Sequence, residues 1–291
     1  MFTGTFTALV TPFNRDGGVD FGCLRALIER QVAGGVDGIV PVGTTGESPT
    51  LDVAEHIEVI RVSVEASRGR LQVIAGTGAN STSEAIDLTR RILDLGCHAT
   101  LQVTPYYNKP SPEGLFRHFS AVADLGLPVV LYNVPGRCSR DIPVETIARL
   151  AKHPKIAAVK EAGGSVERVS AIRDACALPV LSGDDALTVP MISIGAQGVI
   201  IVASNVAPRE VSDMVRLAMH NDLAAARQAH QRLYPLFRDL FLDTNPVPVK
   251  AALAMMGKIE ESYRLPLCEI SETVRTQLRK TLTSLGMLKH D

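Results

Sequence analysis

Ile156-Ala157-Ala158-Val159-Lys160 is an uninterrupted apolar run that stops on an amine. A strand with one wet face alternates apolar and polar side chains, whereas one covered on both faces reads as continuously apolar. This run is of the second kind and belongs in a parallel sheet sandwiched by helices. A lysine that finishes such a run projects into whatever lies beyond the strand end. Burial disfavours an ammonium, so an amine held there becomes a nucleophile. Taken alone, the commoner fate of a strand-end lysine is to snorkel to solvent, and the rest of the chain has to decide between the two.

The same kind of run recurs along the chain. Strands are predicted at Thr5–Thr11, Gly38–Val42, Gln72–Gly76, Ala99–Val103, Val129–Tyr132, Ile156–Lys160, Val180–Ser182 and Val199–Val202. Helices are predicted between them at Phe21–Ala33, Asp52–Ser67, Ser81–Leu95, Pro112–Ala123, Pro143–Ala151, Ser165–Cys176, Leu187–Ile194 and Pro208–Met219. Start signals accompany several: Ser81 with Glu84 as a capping box, Ser111 before Pro112, and Asp141 ahead of Pro143. Strand-then-helix units repeated at about 20–35 residues are what a closed parallel barrel needs, an α/β fold of the (β/α)8 TIM-barrel class. A doubly wound open sheet is the runner-up. After Asn221 only helical patterns follow, at Leu223–Leu242, Pro248–Gly257 and Ser271–Leu285. We therefore expect a barrel over residues 1–221 and a helical extension over 222–291 packed on it.

Composition narrows the function classes. The chain has 291 residues, 46% of them hydrophobic, and a net charge of −1. Near-neutrality gives no reason to expect nucleic acid or a membrane surface as partner. No apolar run reaches transmembrane length, and the N-terminus lacks a secretory pattern. Five scattered cysteines without a CxxC pair read as reduced, in keeping with a cytoplasmic enzyme. The histidines show no HExxH or HxH spacing, so no metal site is expected. Asp184-Asp185 reads as a turn opening a helix, and a GxSxG nucleophile elbow is absent.

In a parallel barrel the loops after the strands form the active-site face. The second strand exits as Gly43-Thr44-Thr45-Gly46-Glu47-Ser48, where glycines, hydroxyls and amides suit a small carboxylate. It is neither a phosphate loop nor, with Gly76-Thr77-Gly78, a dinucleotide fingerprint. The fifth exits as Tyr132-Asn133-Val134-Pro135-Gly136-Arg137, offering a phenol that can shuttle protons and a guanidinium that can grip a carboxylate. The fourth exits through Tyr106-Tyr107, which taken alone reads as a packing or subunit contact. Three of the five tyrosines thus fall at strand exits.

Together these segments resemble the dihydrodipicolinate synthase family, within the pyruvate-dependent class I aldolase and lyase superfamily. The likeness runs from Thr3-Gly4 and Thr11-Pro12-Phe13 through Gly43–Glu47, Ala75–Asn80, Val103–Lys109, Leu131–Arg137, Lys160-Glu161-Ala162 and Ser182–Asp185 to Asn245-Pro246-Val247-Pro248-Val249-Lys250. The resemblance implies a Schiff-base lyase without cofactor. Lys160 forms an imine with pyruvate, and its enamine attacks L-aspartate 4-semialdehyde on the diaminopimelate route to lysine. It further implies that Thr45, Gly183 and the amide of Ile200 hold the pyruvate. Tyr132, Thr44 and Tyr107 relay protons, with Tyr107 coming from a neighbouring subunit of a homotetramer, a dimer of dimers. Arg137 takes the semialdehyde carboxylate. Ser48, His56, Asn80, Glu84 and Tyr106 match a feedback site for L-lysine, while Pro49, Val53 and Gly163 depart from the family's pattern. The same imine chemistry serves N-acetylneuraminate lyase and 2-keto-3-deoxy sugar acid aldolases; Thr44-Thr45 and Arg137 favour the synthase. A non-catalytic scaffold barrel is the reading from another class.

Overall fold

The computed structural model describes residues 2–289. Eight parallel strands close on themselves in chain order: β1 (Gly4–Ala8), β2 (Gly38–Val40), β3 (Gln72–Gly76), β4 (Ala99–Val103), β5 (Val129–Asn133), β6 (Ile156–Glu161), β7 (Val180–Ser182) and β8 (Gly198–Ile201). Closure is made where β1 meets β8, in register from Gly4↔Gly198 to Thr7↔Ile201. Glycines are needed there because a Cβ on Gly198 would fall 2.2 Å from the Gly4 carbonyl oxygen. Phe6 fills the adjacent interior and leaves no room for a side chain at Gly38, whose Cβ would sit 2.5 Å from its ring. The barrel class and the helical tail are as the sequence predicts.

Helices α1 (Phe21–Gly34), α2 (Val53–Ser67), α3 (Thr82–Arg91), α4 (Pro112–Ala123), α5 (Pro135–Cys138), α6 (Val144–Leu150), α7 (Glu167–Ala175), α8 (Thr188–Ser193) and α9 (Pro208–Met219) follow the strands. They cover the outer face, so Val129, Val130 and Leu131 of β5 are fully buried. Each such side chain contributes about 1.5–3 kcal/mol. α10 (Leu223–Asp239), α11 (Val247–Met255) and α12 (Glu272–Ser284) complete the chain. No helix among the described residues is long and apolar enough to cross a membrane.

Several predicted boundaries move for local reasons. β2 stops at Val40 rather than Val42, because Val42 turns into the left-handed region at φ 48°. β1 stops at Ala8, after which Thr11 donates its hydroxyl to the Gly46 carbonyl. Ser81 forms no capping box: its hydroxyl meets Ser83, and α3 gives way to a 3-10 turn at Leu93–Leu95. The capping box lies at α2 instead, where Asp52 accepts from the Glu55 amide at 2.8 Å and Glu55 accepts in return at 3.2 Å. Ser111 caps α4 through the Gly114 amide. Asp141 does not cap α6; it accepts from the Asn133 side chain at 2.9 Å. The sequence pattern predicts no helix at Pro135–Cys138, yet Pro135 suits the first position of α5 because the missing N–H is unused there.

Candidate active site

Register places the two central groups side by side. Tyr132 of β5 pairs with Lys160 of β6, so both side chains leave on the same face of the barrel wall. Lys160 is only 6% exposed, and its Nζ lies 4.0 Å from the centre of the Tyr132 ring. Gly183, just past β7, leaves room for it: a Cβ there would come within 3.0 Å of Lys160 Cε and 2.6 Å of the Ala162 Cβ. The amine is therefore buried, and the solvent-snorkelling alternative is excluded.

Its surroundings are less apolar than the strand sequence suggests. Burial raises the Asp184 carboxyl, opposed by the Gly164 amide at 3.0 Å and the Lys160 charge. Burial also pushes Asp185 up to about 7, opposed by the amides of Val202 at 3.1 Å and Ala203 at 2.8 Å and then by Lys160. Asp185 opens the 3-10 turn Asp185–Leu187 that leads into α8, as the sequence predicts, and its carboxylate also clamps the loop after β8. Glu161, the residue after Lys160 on β6, is fully buried. It accepts from Gly163 N–H at 2.8 Å, Asn133 Nδ2 at 2.9 Å and Arg168 Nε at 3.0 Å. Burial raises its carboxyl against these donors. Gly163 has a physical reason in this chain, because a Cβ there would stand 2.6 Å from Glu161 Oε1.

A cleft of about 180 Å³ opens next to Tyr132 and is lined by Thr44, Arg137, Ser48, Pro49 and Tyr106 among others. Gly76 and Gly78 form its floor; side chains there would run into Val42 O at 2.3 Å and Val103 N at 2.4 Å. Thr45 turns inward, is 3% exposed, and accepts from Asn245 Nδ2 at 2.9 Å. Arg137 donates from Nη2 to the Asn245 carbonyl at 2.9 Å. Ile200 sits in the middle of β8 and is buried. Tyr107 does not join this cluster: it is 89% exposed, with a left-handed φ of 72°.

Two of the expected lysine-site residues line the same cleft, and the other three lie near it in the surrounding elements. Ser48 and Tyr106 line it, and Asn80 donates to the Tyr106 carbonyl at 3.2 Å. The Glu84 charge, after burial, helps raise the Tyr106 phenol. His56 lies behind, buried, with Nε2 2.7 Å from the Gly76 carbonyl, and burial lowers its imidazole. Pro49 also lines the cleft, whereas Val53 is exposed on α2.

Sequence reasoning missed two residues of consequence. Lys250 falls on the predicted helix Pro248–Gly257, where a lysine ordinarily faces solvent, yet it is fully buried and pairs with Glu47 at 2.5 Å. Its Nζ also faces the Phe13 ring at 4.1 Å. Asn245 carries no signal of its own in the sequence beyond the segment Asn245–Lys250. A polar residue and a lysine inside an otherwise apolar stretch were the available signals.

A family model described as the dihydrodipicolinate synthetase family matches residues 1–285. The 4-hydroxy-tetrahydrodipicolinate synthase of Nitratidesulfovibrio vulgaris is 50% identical over 99% of both chains. A solved dihydrodipicolinate synthase from Acinetobacter baumannii, chloride-inhibited and complexed with pyruvate, is 42% identical. It superposes with a TM-score of 0.96 over 99% of this chain and all of that one. One from Cyanidioschyzon merolae with lysine bound has the same identity and TM-score, over 99% of each chain. This chain belongs to the dihydrodipicolinate synthetase family.

Proposed function

We propose that the protein is a lyase that condenses pyruvate with L-aspartate 4-semialdehyde, with Lys160 as the imine-forming nucleophile. The observation that carries this reading is the buried Lys160 amine lying against Tyr132 at the mouth of the barrel. Attack of Nζ on the pyruvate ketone expels water and leaves an imine. Loss of a methyl proton gives an enamine, whose carbon bonds to the aldehyde of the second substrate. The substrate's own amine then replaces Lys160 as the ring closes, and the enzyme is freed. Tyr132 gives and takes these protons with Thr44, a reading supported by their lining the same cleft. Thr45, Gly183 and Ile200 bind the keto acid, and Arg137 takes the carboxylate of the aldehyde. The polyhydroxylated acceptor of a sialate or sugar acid aldolase would have little use for that cation.

Tyr107 completes the relay from a second subunit, and its almost full exposure supports this. We further assign the part of the cleft lined by Ser48 and Tyr106, with His56, Asn80 and Glu84, to free L-lysine. Millimolar lysine is expected to lower activity and to bind by calorimetry; no effect in either measurement removes the assignment. The five cysteines are free and the substrates are water-soluble, as befits a cytoplasmic enzyme.

Reduction with borohydride in the presence of pyruvate tests the chemistry directly. The protein should gain the mass of pyruvate less one oxygen atom, with the peptide containing Lys160 carrying it. Lys160→Ala should gain nothing. Unmodified wild type would refute the mechanism.

A further inference from the structure

Two contacts converge on one residue of the segment that precedes α11. Asn245 is 7% exposed and lies two hundred residues from the loop it touches. Its side-chain amide donates to Thr45 Oγ1 at 2.9 Å, and its backbone carbonyl accepts from Arg137 Nη2 at 2.9 Å. We propose that Asn245 is a positioning residue that sets both carboxylate-binding groups of the site, one through its side chain and one through its backbone. The proposal rests on the reading that Thr45 binds the keto acid and Arg137 the aldehyde.

The hydrogen-bond inventory gives the reason. A hydroxyl has one proton to donate and two lone pairs to accept with. Because Asn245 Nδ2 occupies an accepting position on Thr45 Oγ1, the Thr45 proton is directed away from Asn245. It finds no acceptor among the described residues and is free for a carboxylate. A threonine without that donor could turn its proton toward a protein oxygen instead. Asn245 Oδ1 is buried without a partner among the described residues. A residue kept at the cost of an orphaned buried acceptor is not explained by packing alone. The tie to Arg137 is separate, since it runs through a main-chain oxygen that no substitution at 245 removes.

That separation makes the test specific. In steady-state kinetics Asn245→Ala is expected to raise the KM for pyruvate by about 10–100-fold, the effect of losing a hydrogen bond that orients a donor to a charged group. The KM for the semialdehyde should stay within about threefold, because the Arg137 contact survives. Asn245→Asp, which keeps the volume but turns the donor into an acceptor, should raise the pyruvate KM at least as much and guards against a misfolded alanine variant. Thr45→Val combined with Asn245→Ala should be no worse for pyruvate than Thr45→Val alone. Unchanged pyruvate KM in both Asn245 variants, a parallel rise for both substrates, or additive losses in the double variant would overturn the proposal. Wild-type protein that neither turns over nor is trapped by borohydride would instead refute the functional reading beneath it.

Discussion

Lys160 and Lys250 are both buried amines, and their neighbours give them different tasks. Lys250 has a carboxylate at hydrogen-bond distance and is occupied by it. Lys160 has an aromatic face and two more distant acids, so its nitrogen is available to a ligand. Space around it is set by Gly183. Replacing Gly183 with Ala should push Cε aside and cut borohydride trapping at Lys160 at least tenfold. Overpacking should lower stability by about 1–3 kcal/mol in chemical denaturation. Lys160 was legible because a charge ending an apolar run has few explanations. Asp184 and Asp185 open a helical turn as their sequence suggests, but their distant contacts were not legible, since nothing local says which backbone amides a carboxylate will meet. His118, buried in α4 with Nδ1 2.9 Å from the Thr82 hydroxyl, offers a pH test. Burial pushes its imidazole down to about 4. Between the unfolded value near 6.5 and about 4, the unfolded chain holds a proton that the folded one does not, so stability falls as pH falls through that window. From pH 7 to 5 the loss at this residue is about 2 kcal/mol. His118→Leu should lose that much less than wild type over the same range, read as the difference between their denaturation free energies.

At the scale of elements, the loop after β2 and helix α11 act as one unit. Glu47 sits in the left-handed region at φ 55° and points into the protein, where Lys250 meets it. Burial raises the Glu47 carboxyl and lowers the Lys250 amine, each countered by the other's charge. Arg264 adds a second tie, reaching Glu55 at 2.6 Å and the Thr50 carbonyl at 2.7 Å. A buried ion pair contributes little over an apolar replacement, but removing one member is costly. Lys250→Met should therefore destabilise by about 3–5 kcal/mol, and Glu47→Gln added to it should recover a good part. In the single variant the unpartnered carboxyl is raised further. The folded state then keeps a proton that the unfolded chain sheds above its ordinary value near 4.3, so the defect should deepen as pH rises from 5 to 8. Thermal melts across that range check the sign. Strands and helices were readable because period and breakers are local properties. Their ends were less so: Val42, the predicted end of β2, turns into the left-handed region, and the Ser81 hydroxyl meets Ser83 instead of capping α3.

The molecule as a whole is a closed ring of eight strands, and alternation of runs sufficed to count them. What brings residue 245 to residue 45 is the path of the chain after the barrel, which no local pattern encodes. The same limit applies to Tyr107. Family resemblance alone implies a place for it in the proton relay, and in one chain it points into solvent in a strained conformation. A large aromatic held there is explained if a second copy receives it, and a symmetric dimer would exchange two such tyrosines. Complementation decides this. Tyr107→Phe should lose about 100-fold in kcat, the scale of one proton-transfer group, and Lys160→Ala should be inactive. If Tyr107 served its own subunit, mixed dimers of the two variants would hold no complete site. If it serves the partner, each mixed dimer holds one complete site, with Lys160 from one chain and Tyr107 from the other. Co-refolding equal amounts should then restore about a quarter of wild-type activity, since half the dimers are mixed and half of their sites are whole. Recovery no greater than the average of the two separate preparations would place Tyr107 outside the relay across subunits.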